Sequence, residues 1–129
     1  MKQDPTPCPC GSGKPYAACC ARYVEGGEAV PTAEALMRSR YCAYTLRRED
    51  YLLATWHAST RPTSLGLADE VPTKWLGLDV KRHEQQDGEH ASVEFVARYK
   101  VNGRAHRLHE VSRFVREQGR WFYVDGEIG

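Results

Sequence analysis

The second half of the chain changes period, and that change limits the folds open to it. From Trp75 onward four segments read as strands: "WLGLDVKRHEQQ", "EHASVEFVARYKV", "RAHRLHEVSRFVREQ" and "RWFYVDGEI". Asp87-Gly88, Asn102-Gly103 and Gln118-Gly119 lie between them, and such dipeptides are hairpin turn signals. Val93, Phe95, Ala97 and Tyr99 alternate with Glu94, Val96, Arg98 and Lys100, the period of a strand with two different faces. In the third segment Leu108, Glu110, Ser112 and Phe114 share one face, and alternation alone does not decide which face is inside. Two helical stretches precede the strands. Thr32 can cap the first, with Glu34 in its first turn, and Ala33, Leu36, Met37, Tyr41 and Tyr44 fall on one side of it. The second is expected over 50–57, "DYLLATWH", ending before Pro62. Residues 63–74 are ambiguous, with a short helical piece as one reading. Helices followed by an antiparallel meander make an α+β layer structure, with two or three helices covering one face of about four strands.

Four of the five cysteines sit in "CPCGSGKPYAACC", as Cys8, Cys10, Cys19 and Cys20. A phosphate loop needs four residues between its glycines and a Ser or Thr after its Lys, and neither holds here. The N-terminus "MKQDPTPCPC" has no apolar core of a signal peptide, so a cytoplasmic location is expected, where structural disulfides are uncommon. Adjacent cysteines also bridge poorly, and a thioredoxin-like redox site would want Cys-x-x-Cys between strand and helix. A metal explains the whole pattern. Four thiolates close a tetrahedral Zn²⁺ shell of the structural kind, Gly11 and Gly13 permit the tight turn, and Lys14 and Arg22 would offset part of its negative charge.

The stretch resembles the SEC-C motif, Cys-x-Cys-x-Ser-Gly, five residues, Cys, then Cys or His, a zinc hook also found at the C-terminus of the SecA translocation motor. That resemblance implies Cys8, Cys10, Cys19 and Cys20 as ligands over a hook of residues 1–25, and leaves Cys42 as an ordinary helix cysteine. "VEGGEAVPT" reads as a linker to a domain of residues 26–129. The element order resembles the NTF2-like (cystatin-like cone) fold, whose curved sheet wraps a helix around a pocket. "RSRYCAY", "YLLATWH", "WLGL", "VEFVARY" and "HEVSRFVREQGRWFYVDG" are similar to blocks of the bacterial YchJ family, also labelled UPF0225. Longer members of that family carry a second hook.

Arg40 falls in the middle of the first helix's apolar side, where a charge must pair, reach solvent or meet a ligand. Arg40, Tyr41, Trp56, His57, Glu110 and Asp125 are therefore the pocket candidates, with Arg61 and Ser112 beside them. Arg40 could pair with Glu110 or Asp125, and His57 with Glu110 could form an acid–base couple. His83, His90 and His106 lie near turns and are expected in solvent. Residues 98–120 carry seven basic groups (Arg98, Lys100, Arg104, Arg107, Arg113, Arg116, Arg120) against Glu110 and Glu117. With a formal net charge of +1 and acids on neighbouring strands, that stripe is expected to be a solvated face.

Three functions follow as expectations. The first is a non-catalytic adaptor, whose hook binds a protein, as SEC-C hooks of SecA engage a chaperone and the ribosome, and whose pocket takes a small molecule or peptide. The second is an enzyme using the pocket, and the third is nucleic-acid binding through the arginines. No apolar run is long enough to cross a membrane.

Overall fold

The computed structural model describes residues 7–65 and 73–128. A 3-10 turn (Tyr16–Ala18) and helix α1 (Ala21–Val24) belong to the cysteine-rich segment, followed by α2 (Ala33–Thr45) and α3 (Glu49–Ala54). Strands β1 (Thr73–Gln85), β2 (His90–Val101), β3 (Arg104–Glu117) and β4 (Arg120–Ile128) form one antiparallel sheet in the order β1-β2-β3-β4. This is the expected α+β arrangement, three helices on a four-stranded open sheet. Among the described residues no helix is long and apolar enough to cross a membrane. Of the ambiguous stretch 63–74, Thr73 and Lys74 open β1, while 66–72 lie outside the described residues.

The turns explain the sharp strand boundaries. Asn102 and Gly103 have φ of 52° and 80°, and Gln118 and Gly119 have 52° and 77°. Two consecutive left-handed residues make the hairpin turn whose twist matches that of its strands. Bulges at Leu76 and Lys81 in β1 and at Val124 in β4 break the register and bend those strands.

Helix α2 starts as its sequence predicts, with the Thr32 hydroxyl accepting from the Ala35 amide at 3.0 Å. Its burial is less one-sided than a surface helix. Ala33, Leu36, Met37 and Tyr41 pack on Val93, Phe95, Ala97, Phe114 and Trp121 of the sheet. Cys42 instead faces the cysteine cluster, and Ala43 packs with Leu52 of α3. Ser39, fully buried, donates to the Leu36 carbonyl and shares a 2.7 Å hydrogen bond with the Tyr51 hydroxyl. The helix is thus enclosed between sheet, hook and α3.

Helix α3 is shorter than the expected 50–57. Its chain leaves the helix to pair with β4: the His57 amide donates to the Tyr123 carbonyl at 2.8 Å, and the Tyr123 amide to the Thr55 carbonyl at 2.9 Å. Those two bonds satisfy backbone groups that another helical turn would otherwise use.

Candidate functional site

The cysteine-rich segment folds back on itself. The Cys8 amide donates to the Lys14 carbonyl at 2.9 Å, and Gly11 and Gly13 turn the chain at φ of 80° and 85°. A Cβ on Gly11 would lie 3.2 Å from the Leu78 carbonyl, so the turn also sits tightly against β1. Cys19 and Cys20 arrive on the far side of the turn, at the start of α1. The sulfurs of Cys8, Cys10, Cys19 and Cys20 all lie within 4.8 Å of one another. Cys10 to Cys19 is 3.8 Å and Cys19 to Cys20 is 4.0 Å. Metal–sulfur bonds of about 2.3 Å in a tetrahedron put sulfurs about 3.8 Å apart, so the four residues fit a metal ion. All five cysteines are free thiols.

Two features of this cluster were not legible in the motif. The first is Arg38, whose Nη1 donates to the Cys10 carbonyl at 2.8 Å while its Nε pairs with Glu34 at 3.1 Å. It ties the hook to α2 more directly than Lys14, which is exposed, or Arg22, which donates to the Cys19 carbonyl and the Tyr23 hydroxyl. The Glu34–Arg38 spacing is the only hint the sequence carries. The second is Cys42. As expected it is a helix cysteine outside the four-sulfur group, but it is fully buried and its sulfur lies 3.4 Å from that of Cys8. Hydrogen bonds from Cys20 and Cys42 hold the Cys10 thiol well below its usual range, while the thiols of Cys20 and Cys42 are pushed up by their contacts with Cys10.

A separate cavity of about 330 Å³ opens between α2 and the concave face of the sheet. Arg40, Tyr41, Trp75, Tyr99, Glu110 and Tyr123 are among its walls. Tyr41 meets Trp75 edge-on at 5.5 Å, and Trp75 meets Tyr99 at 5.3 Å, so the rings form a continuous wall. Burial pushes the Tyr41 and Tyr123 hydroxyls up to about 12, which keeps them neutral donors at ordinary pH.

Arg40 is 5% exposed. Its Nη1 donates to the Leu52 carbonyl at 2.8 Å and to the Thr55 hydroxyl at 2.7 Å. The guanidinium carbon stands 4.5 Å from the Tyr123 ring centre and 5.1 Å from that of Trp56. Burial lowers its pKa from the usual arginine value, with the tyrosines and Glu110 opposing that shift. The anticipated partnership with Glu110 or Asp125 does not form. Leu52 of α3 and Thr55 at its end supply oxygens, and Trp56 and Tyr123 of β4 supply two aromatic faces instead, a setting in which a delocalised cation can be buried.

Glu110 lines the cavity and accepts from the Ser112 hydroxyl at 2.7 Å. Gly126 on β4 makes room for it, because a Cβ there would collide with the Glu110 carboxylate. This answers the question left open by alternation: Leu108, Glu110, Ser112 and Phe114 face inward.

Three expected pocket residues lie elsewhere. Trp56 packs edge-on against Tyr123 at 4.9 Å, outside the cavity lining, because its backbone pairs with β4. His57 bonds Ser59 at 2.7 Å and Glu117 at 2.9 Å, so it forms no acid–base couple with Glu110. Asp125 accepts from Arg113 at 2.7 Å on the opposite face of the sheet, where alternation places Arg113. Arg61 is exposed.

The histidines near turns divide. His90 and His106 are exposed, but His83 is half-buried: its Nε2 is buried without a hydrogen-bond partner and its Nδ1 lies 3.8 Å from Glu34. The basic stripe is interrupted by acids. Arg98 lies near Asp79, His109 pairs with Glu94, and Arg113 is shared between Asp125 and Glu127.

The chain is similar to known proteins across its length. Residues 32–126 match the family described as "YchJ, middle NTF2-like domain", and residues 6–22 match the SEC-C motif. A UPF0225 protein of Ralstonia nicotianae is 62% identical over 132 residues, covering 94% of this chain and 90% of that one. A UPF0225 protein of Bordetella pertussis is 53% identical and covers 99% of each. Among solved structures, a SEC-C motif containing protein from Rhodopseudomonas palustris has a TM-score of 0.85 at 35% identity, covering 95% of this chain and 98% of its own. A second, from Psychrobacter arcticus, has a TM-score of 0.79 at 27% identity, covering 96% and 83%.

Proposed function

This chain belongs to the YchJ family of UPF0225 proteins, with a SEC-C motif and an NTF2-like domain, and from that premise we propose that it is a non-catalytic binding protein. Its cavity takes a small molecule with an aromatic body, and its hook, closed by zinc, offers a surface to a partner protein. The observation that carries this reading is the lining of the cavity. Aromatic rings supply a large contact area, and Arg40 and Glu110 are two opposite charges that do not pair with each other. Such a lining orients a ligand. Of the couple expected to move protons, His57 is committed to Glu117 and stands outside the cavity that Glu110 lines.

Zinc is favoured at the hook by its donor set. Four thiolates in a tetrahedron suit a soft-tolerant, redox-silent ion and leave no open position for substrate. The exposed side of the hook, with Lys14 and Arg22 beside Cys19, suits an acidic patch on a partner protein.

Amide chemical shifts of the full chain, followed during titration with benzoate, benzamidine and phenylalanine, test the cavity. The expected result is saturable shifts at Tyr41, Trp75, Tyr99 and Glu110 with at least one probe, lost selectively for the cationic and zwitterionic probes in Glu110→Gln. Shifts scattered over the surface, or none at those residues, would contradict the proposal. For the hook, Lys14→Glu with Arg22→Glu should abolish a partner interaction that the intact chain makes, while leaving those probe shifts unchanged.

A further inference from the structure

The cavity between α2 and the sheet has two ends of different chemistry. Its rings gather around Trp75 of β1, with Tyr41 at 5.5 Å and Tyr44 at 6.1 Å from α2 and Tyr99 at 5.3 Å from β2. Its charges stand on the side of β3 and β4. Glu110 projects from β3, and the Arg40 guanidinium lies 4.5 Å from the ring centre of Tyr123 on β4. Along β2, Ala97 follows Tyr99 on the inward face, and Phe95 beyond it pairs with Glu110. Ala97 has the smallest side chain of the lining, which leaves room between the rings and the charges. Each charge also keeps hydrogen-bonding capacity that the protein does not use. Nη1 of Arg40 gives its hydrogens to the Leu52 carbonyl and the Thr55 hydroxyl, while Nε and Nη2 have no hydrogen-bond partner among the described residues. Those two nitrogens are not sealed in protein, since among the described residues only the His83 Nε2 is buried without a partner. Glu110 accepts from Ser112 through Oε2, and its Oε1 has no partner among the described residues.

We propose that the ligand of this cavity is a free α-amino acid with an aromatic side chain. The Nε–Nη2 edge of Arg40 presents parallel N–H groups, the geometry that holds a carboxylate by two hydrogen bonds. The free oxygen of Glu110 takes the ammonium, and the ring lies against Trp75 and its tyrosines. An α-amino acid carries both charges on one carbon and its ring one methylene away, matching a cavity with charges at one end and rings at the other. A ligand with a single charge would leave Arg40 or Glu110 unpartnered in a site closed to bulk water. A peptide does not fit, because its two terminal charges belong to different residues. This inference rests on the reading of the cavity as a small-molecule site, and its test separates the two.

Amide shifts of the full chain give dissociation constants for phenylalanine, tyrosine and tryptophan. Three further probes remove charge from phenylalanine: 2-phenylethylamine, 3-phenylpropanoate and 2-phenylethanol. The tightest amino acid should shift Tyr99 and Glu110 and bind at least roughly tenfold more tightly than any of these three, the difference made by one charged hydrogen bond. Glu110→Gln should weaken that amino acid by roughly tenfold or more and leave 3-phenylpropanoate bound no more weakly, a selective change that misfolding would not produce. A singly charged or neutral probe that binds those residues as tightly as the amino acids would overturn this inference and leave the cavity reading standing. Unchanged amino-acid binding in Glu110→Gln would do the same. No shift at Tyr99 and Glu110 with any of these compounds would overturn both.

Discussion

Arg40→Met is expected to destabilise the protein by about 2–3 kcal/mol, lowering Tm by roughly 10 °C in thermal denaturation followed by circular dichroism. The substituted side chain is similar in length and apolar, so it fills much of the same volume. What it cannot do is donate to the Leu52 carbonyl and the Thr55 hydroxyl, or stand as a cation against Tyr123 and Trp56. The Thr55 hydroxyl still reaches the Tyr51 carbonyl at 2.8 Å and the Leu52 carbonyl at 3.3 Å, so no carbonyl is stranded outright. Most of the loss then falls on the two ring contacts, each worth from roughly 0.5–1 kcal/mol at exposed sites to about 2 kcal/mol when desolvated. Burial of a charge works the other way, and apolar replacement of buried ions is sometimes neutral. The paired rings decide the sign here. Arg40→Lys should recover less than half of the loss, because an ammonium cannot bond α3 and lie flat between two rings at once. Stability within about 0.5 kcal/mol of wild type for Arg40→Met would contradict this account.

Cys10→Ser is expected to empty the hook of metal and unfold it while the sheet survives. Cys10 is one of the four sulfurs that lie within 4.8 Å of one another, and its loss leaves three. Structural zinc sites couple metal binding to folding, with apparent free energies on the order of 10 kcal/mol in isolated fingers. The four-stranded sheet has its own core, built on Val93, Phe95, Phe114 and Trp121 with α2, and does not depend on the hook for its ladder bonds. Hydrogen exchange should therefore show lost protection at Tyr23 and Val24 and retained protection at Val93, Phe95 and Val96. A Cys10→Ser chain that keeps stoichiometric metal and full protection in α1 would refute the assignment.

What could be read from the sequence follows a physical division. The strands and their ends were legible because each hairpin is specified locally, by alternation on either side and by residues at Asn102-Gly103 and Gln118-Gly119 that enter the left-handed region. The four-sulfur cluster was legible because its ligands are close in the chain and their spacing is set by a tight turn. Features that depend on distant pairing were not. The end of α3 is decided by β4, so Trp56 and His57 left the helix and the pocket together. Asp125 was misplaced because the bulge at Val124 and the register of β3 with β4 determine which face it takes. Cys42 carried no motif of its own; only the docking of the hook against α2 brings its sulfur to Cys8. Arg40 was singled out correctly as a charge on an apolar face, but its partners are oxygens of Leu52 and Thr55 and the rings of Trp56 and Tyr123 rather than an acid on the sheet.

In the proposed hook, Cys8, Cys10, Cys19 and Cys20 close around one zinc ion and fasten the hook to the domain. X-ray absorption at the zinc edge, on full chain purified without added metal, tests it most directly. The expected spectrum is one zinc per chain with four sulfurs at about 2.3 Å and no lighter ligand. A chain without stoichiometric zinc, or a shell containing nitrogen or oxygen at about 2.0–2.1 Å, would contradict it.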